Sequence, residues 1–138
     1  MISFRLSMVV TAGLLAVPIL AGTGHAEVTE ANFISKTTGD LAALCSAPST
    51  DRFYTAAINF CHGFGAGAYG MLASAQQADP QLSLFCAPPG LTRDEAVKAF
   101  ISWVGSDPDR MALPAVDGIA AFLTTSYPCA ATPTQRSK

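Results

Sequence analysis

The chain is short of charge. Acidic and basic residues make up 13% of it, where a soluble domain ordinarily carries about a quarter. There is neither the basic stripe of a nucleic-acid binder nor a run of acids that would form a solvated tail. Histidine is scarcer still, with two in 138 residues, His25 and His62. The four cysteines stand 16, 25 and 43 residues apart. Paired zinc ligands ordinarily lie two to four residues apart, so no zinc site is expected. Thiol exchange is excluded on the same ground, because no Cys-x-x-Cys is present. Alternating strand patterns are also missing. The expected fold class is therefore all-α.

The first apolar run is too short for a membrane anchor. Met1 to Arg5 carries one cation, an apolar stretch follows from Leu6 to about Leu20, and Pro18 interrupts it. A spanning helix needs roughly 20 apolar residues. Gly24 and Ala26 instead fit the small-residue rule of a signal peptide, with cleavage before Glu27. Residues 1–26 are read as a cleaved leader, 27–37 as a polar lead-in, 38–129 as the domain and 130–138 as a flexible tail. The mature part holds all ten acids and seven of the eight cations, a net charge of −3. Its 112 residues suffice for one domain. No membrane anchor is expected after cleavage.

Cys45, Cys61, Cys86 and Cys129 all fall in the exported part. An even count in a small exported domain predicts disulfides, with three connectivities open. The helix pattern narrows them. Thr38-Gly39-Asp40 starts a short helix ending at Cys45, with Thr38 or Asp40 as its cap. Ser49-Thr50-Asp51 opens the longest helix, to about Gln77. Its apolar stripe runs Tyr54, Ala57, Ile58, Cys61, Phe64, Ala68, Met71, Leu72, Ala75. Thr92-Arg93-Asp94-Glu95 matches a capping box before a third helix that carries Val97, Phe100, Ile101 and Val104 to Gly105. A turn at 108–112 precedes a fourth helix from about Leu113 to Ser126, burying Val116, Ile119, Ala120 and Leu123. A hairpin of the first two helices would join Cys45 to Cys61. Cys86 and Cys129, flanking helices three and four, would clamp the second half. The expectation is a small bundle of four main helices stapled by two disulfides.

Gly65-Ala66-Gly67-Ala68-Tyr69-Gly70 satisfies the dinucleotide-binding glycine pattern only formally, since that pattern works between a strand and a helix start. Inside a helix each glycine costs up to about 1 kcal/mol relative to alanine. Gly63, Gly65, Gly67 and Gly70 therefore predict close packing against another backbone, or a bend in the helix. His62 points off the apolar stripe, and no nucleophile stands at a recognised spacing from it, so no catalytic residue and no cofactor is assigned. Trp103 reads as a core-edge residue and as a candidate partner-binding anchor. Loops on rigid scaffolds commonly carry binding function, and the connection from Gln76 to Phe85 is polar and adjoins Cys86. Gln76, Gln77, Asp79 and Gln81 are accordingly the other candidate partner-binding residues.

Gly39-Asp40-Leu41 leading to Leu44-Cys45, then Cys61-His62-Gly63-Phe64-Gly65, then Phe85-Cys86-Ala87-Pro88-Pro89-Gly90-Leu91-Thr92 occur in that order. Ser106-Asp107-Pro108 and Tyr127-Pro128-Cys129 follow. This succession resembles the Rap/Tai family of type VI secretion immunity proteins over residues 38–129. Phe64 stands where the family pattern usually has tyrosine, and Pro114 and Gly118 make the last helix less regular. The resemblance implies a periplasmic, all-helical protein, often a homodimer, that binds a secreted peptidoglycan amidase and blocks its cysteine–histidine cleft. Such an inhibitor has no chemistry of its own and needs no cofactor. The competing reading is a periplasmic helical protein with another binding or stress-related role and no toxin partner. The scarcity of ionisable groups argues against an acid-triggered chaperone.

Overall fold

In the computed structural model, residues 27–79 and 81–130 are described. The leader, its cleavage point and the tail from residue 131 lie outside them. Among the described residues four helices form: α1 (Thr38–Cys45), α2 (Tyr54–Ala78), α3 (Arg93–Gly105) and α4 (Ala115–Ser126). Short 3-10 turns at Glu30–Ile34 and Pro108–Ala112 precede α1 and α4. Among the described residues there is no strand, only an isolated bridge between Thr37 and Pro114. The all-α bundle with two disulfides is what the sequence predicts.

Local chemistry sets most of the boundaries. The Thr37 side chain, rather than that of Thr38 or Asp40, caps α1 by accepting from Asp40 N–H at 3.1 Å. Asp40 returns the bond, its carboxylate accepting from Thr37 N–H at 3.0 Å. Thr38 is displaced into the helix and fully buried, where its hydroxyl donates to the carbonyl of Leu113. The same reciprocal box opens α3 between Thr92 and Glu95, as its sequence pattern requires. Helix α2 starts three residues later than the Ser49-Thr50-Asp51 signal suggests. Asp51 is used elsewhere: one carboxylate oxygen accepts from Phe53 N–H at 2.7 Å, the other from Val28 N–H at 2.9 Å. That long-range bond draws the lead-in onto the domain. Val28 is buried with Leu44, Ala47 and Ala57, and Phe33 and Phe53 pack around them.

The main core joins Leu41, Cys45, Cys61, Phe85, Phe100 and Val104 to the inner face of α4. On α4 that face is Ala115, Gly118, Ile119, Phe122 and Leu123, whereas Val116 is exposed. The expected burial of Val116 is thus wrong. The helix begins after Pro114, and its contact with α1 runs through Gly118 and Thr38. Backbone bonds clip the two starts together, Thr38 N–H to Leu113 C=O at 2.7 Å and Ala115 N–H to Lys36 C=O at 3.3 Å.

Both expected disulfides are present. Cys45–Cys61 joins α1 to α2 inside the core, and Cys86–Cys129 ties the segment before α3 to the end of α4. Beside the second bridge, Cys86 N–H donates to Tyr127 C=O at 2.7 Å.

Helix α2 departs most from expectation. Its 25 residues span about 37 Å at 1.5 Å each, while α1, α3 and α4 have 8, 13 and 12 residues and reach at most about 20 Å. The shorter helices cannot cover it. Only Ala57 and Cys61 are buried; of the expected stripe Ile58, Phe64, Ala68 and Leu72 are half-buried against the cores, whereas Tyr54, Met71 and Ala75 are exposed. The predicted close packing of the glycines fails for the same reason. A Cβ built at Gly63, Gly65, Gly67 or Gly70 would meet nothing within 4 Å.

Candidate functional site

Two surfaces lie along α2 beyond Cys61. The first is its distal half together with the segment that folds back beside it. The Gln76 side chain holds this segment. Its amide oxygen accepts from Leu84 N–H at 3.0 Å and Phe85 N–H at 3.1 Å, and its amide nitrogen donates to Phe85 C=O at 3.0 Å. Phe85 is thereby seated in the core with Tyr69 edge-on to it, centroids 5.1 Å apart. Outside remain Tyr69, Met71 and Leu82, exposed by 44, 57 and 40%. Exposed apolar side chains on this half of α2 and on the segment after it make the region a candidate for meeting a partner.

The structure divides the sequence-derived candidates. Gln77, Asp79 and Gln81 are exposed around the end of α2, with Asp79 Oδ1 accepting from Gln81 N–H at 3.0 Å. Gln76 is beside them, but its side chain is committed to the backbone of residues 84 and 85. Trp103 belongs to a different neighbourhood. It is half-buried at the end of α3, between Phe100 and Phe122, with the Arg110 guanidinium 4.2 Å from its ring centroid. Arg110 also donates to the Trp103 carbonyl. Among the described residues no hydrogen bond or ring contact links Trp103 to the group at the end of α2. The four cysteines are all bridged and chemically closed.

The second surface is a cavity of about 590 Å³ that the sequence does not announce. On one side is α2, through Cys61, Gly65 and Tyr69, residues four apart on one face. Opposite is the turn Pro88–Leu91, closed by a bond from Leu91 N–H to Pro88 C=O. Gly90 sits there with φ +84°, the left-handed conformation that glycine adopts freely, which permits the sharp return after two prolines. Buried Leu41, Phe100, Phe122 and the Cys45–Cys61 bridge line the interior. Arg93 and His62 are at the mouth, where His62 Nε2 stands 3.6 Å from Asp94 Oδ1. The only advance signal was the four-residue spacing of Cys61, Gly65 and Tyr69.

Among the described residues no cluster of three or more histidine, cysteine, aspartate or glutamate side chains could hold a metal. Nor is any described helix long and apolar enough to cross a membrane. The fold and its surfaces define a small, disulfide-stapled helical domain with one long helix that the other elements cover only in part. The family model described as Rap1a immunity proteins matches residues 37–129, and the chain belongs to that family. No curated protein and no solved structure matches it.

Proposed function

We propose that the protein is exported, loses its leader before Glu27, and acts in the periplasm as an immunity protein against a secreted peptidoglycan amidase. Membership of the Rap1a family supports the immunity role, and two disulfides suit an oxidising compartment. Cleavage before Glu27 would retain Val28, the first buried residue of the domain. The observation that carries the reading is the exposed side of the distal half of α2 and of the segment after it: Tyr69 and Met71 on the helix and Leu82 beyond its end are exposed, around the polar group Gln77, Asp79 and Gln81. Inhibition on this reading is occlusion. The exposed end of α2 and the segment after it enter the amidase cleft and shield its cysteine–histidine pair, with no chemical step by the inhibitor. Gln76 positions the surface rather than touching the amidase.

The test begins with an amidase encoded beside this chain's gene, purified and titrated with the inhibitor. Met71→Asp combined with Leu82→Asp should weaken binding at least about tenfold, roughly 1.4 kcal/mol, at unchanged Tm. Asp79→Ala with Gln81→Ala should weaken it less. Full affinity in both double variants would remove this surface from the interface.

A further inference from the structure

We propose that the cavity between α2, the Pro88–Leu91 turn and α3 binds a single-chain anionic amphiphile, a medium-length alkyl carboxylate. Its volume, about 590 Å³, lies within the range of small-ligand pockets. Its interior is apolar, formed by Leu41, Phe100, Phe122 and a disulfide that offers no strong hydrogen-bonding group. An alkyl chain would exchange water for these surfaces.

One lining residue leaves part of the space open. Gly65 follows Cys61 by one turn on the side of α2 that lines the cavity, where a side chain would enter it. A Cβ there meets nothing within 4 Å. Glycine is unfavourable in a helix interior, and no neighbouring backbone comes close enough to require it. Its lack of a side chain keeps that part of the cavity wall open.

The mouth favours a particular head group. Arg93 lines it and forms no ion pair among the described residues, while Asp94 faces His62 instead. A guanidinium without an acid partner beside an apolar cavity is complementary to a carboxylate attached to a hydrocarbon. The walls are already fixed. The bridge anchors α2, Gly90 shapes the turn, and the Thr92–Glu95 box holds the start of α3. Little ordering is then required on binding.

Calorimetric titration of the disulfide-intact protein with decanoate, and separately with decanol, tests the assignment. Decanoate should bind saturably at one per chain, and decanol several-fold more weakly. Gly65→Leu should weaken decanoate at least about tenfold at equal or higher Tm, since the substitution also improves helix propensity. Arg93→Gln, on an exposed position, should erase the preference for decanoate over decanol while leaving decanol binding in place. Absence of saturable binding would overturn the proposal, as would a Gly65→Leu variant that binds decanoate normally. If decanoate does not bind, yet Gly65→Leu loses an amidase partner, the cavity is a socket for a protein side chain and the amphiphile assignment falls.

Discussion

Gly118 on α4 lies directly against Thr38 on α1. A Cβ at Gly118 would overlap the threonine hydroxyl and come within 2.8 Å of its Cγ2. Thr38 cannot easily yield. It is fully buried, and its hydroxyl is in reach of the carbonyls of Leu113 and Pro114 at 3.1 and 3.3 Å. Alanine at 118 would improve helix propensity by up to about 1 kcal/mol. Overpacking costs about 1–3 kcal/mol, and displacement of the hydroxyl adds to it. Gly118→Ala should therefore lower stability by about 1–2 kcal/mol in urea denaturation. The further change Thr38→Ala should recover part of the loss.

Gly63 and Gly67 present the opposite case. Their Cβ positions are open, so only the helix-propensity term and the unfolded-chain entropy change. Gly63→Ala and Gly67→Ala should each stabilise the protein by about 0.5–1 kcal/mol. Thermal melts of the two single variants, set against Gly118→Ala, check the difference in sign. A drop in Tm for either would mean that α2 is covered in solution, most simply by a second copy of the chain.

This contrast shows where sequence reading stops. Boundaries governed by residues within one turn were legible, such as the Thr92–Glu95 box. So were the cysteine pairs, because helix order brings them together. Asp51 misled because its side chain is taken by Val28, 23 residues away, and no local pattern encodes that bond. The glycines misled because periodicity records which residues share a face, not whether another element is long enough to cover it. Hydrophobicity points Val116 inward, but the contact with α1 runs through Gly118, whose lack of side chain admits Thr38. The cavity is lined by segments far apart in the chain, among them Leu41, Gly65, Gly90 and Phe122. Only assembled geometry reveals such a space.

The capping box of α1 should make stability pH-dependent. Burial of Asp40 opposes ionisation, but bonds from the backbone and hydroxyl of Thr37, from Asn32 and from the Lys36 backbone outweigh it, and its pKa falls below the ordinary 3.8. A carboxyl lowered on folding stabilises the native state above its unfolded pKa, and that contribution is lost as pH falls through the folded value. Asp40→Asn should cost about 1 kcal/mol at pH 7. The gap from the unsubstituted protein should close below pH 3.8. A gap that is constant from pH 7 to pH 2 would assign the loss to shape rather than charge.

The two disulfides differ in access, and mild reductant should separate them. Cys45 and Cys61 are buried, whereas Cys86 is exposed and Cys129 partly so. Attack on a bridge requires contact with sulfur, so Cys86–Cys129 should open first. Closing loops of 16 and 43 residues contributes about 3 and about 4 kcal/mol in the chain-entropy model. Alkylation and peptide mapping during partial reduction should show Cys86 and Cys129 labelled together, with Tm already lowered. Cys45 and Cys61 should react only as the domain unfolds.

Gln76 distinguishes a scaffold role from a contact role at the end of α2. Three hydrogen bonds run from its amide to the backbone of Leu84 and Phe85. Removing them leaves partly buried backbone groups unpaired, at about 1–3 kcal/mol. Gln76→Ala should therefore speed amide exchange at Leu84 and Phe85 and lower stability by about that amount. Gln76→Glu keeps both acceptor bonds and loses the donor to Phe85, so its effect should be intermediate. Gln77→Ala, one residue on and exposed, should leave exchange at Leu84 and Phe85 unchanged. If Gln76→Ala weakens an amidase complex with exchange at 84 and 85 unaltered, the glutamine touches the partner directly. If exchange rises in step with the loss of affinity, the amide acts by holding Phe85 and the returning segment in place.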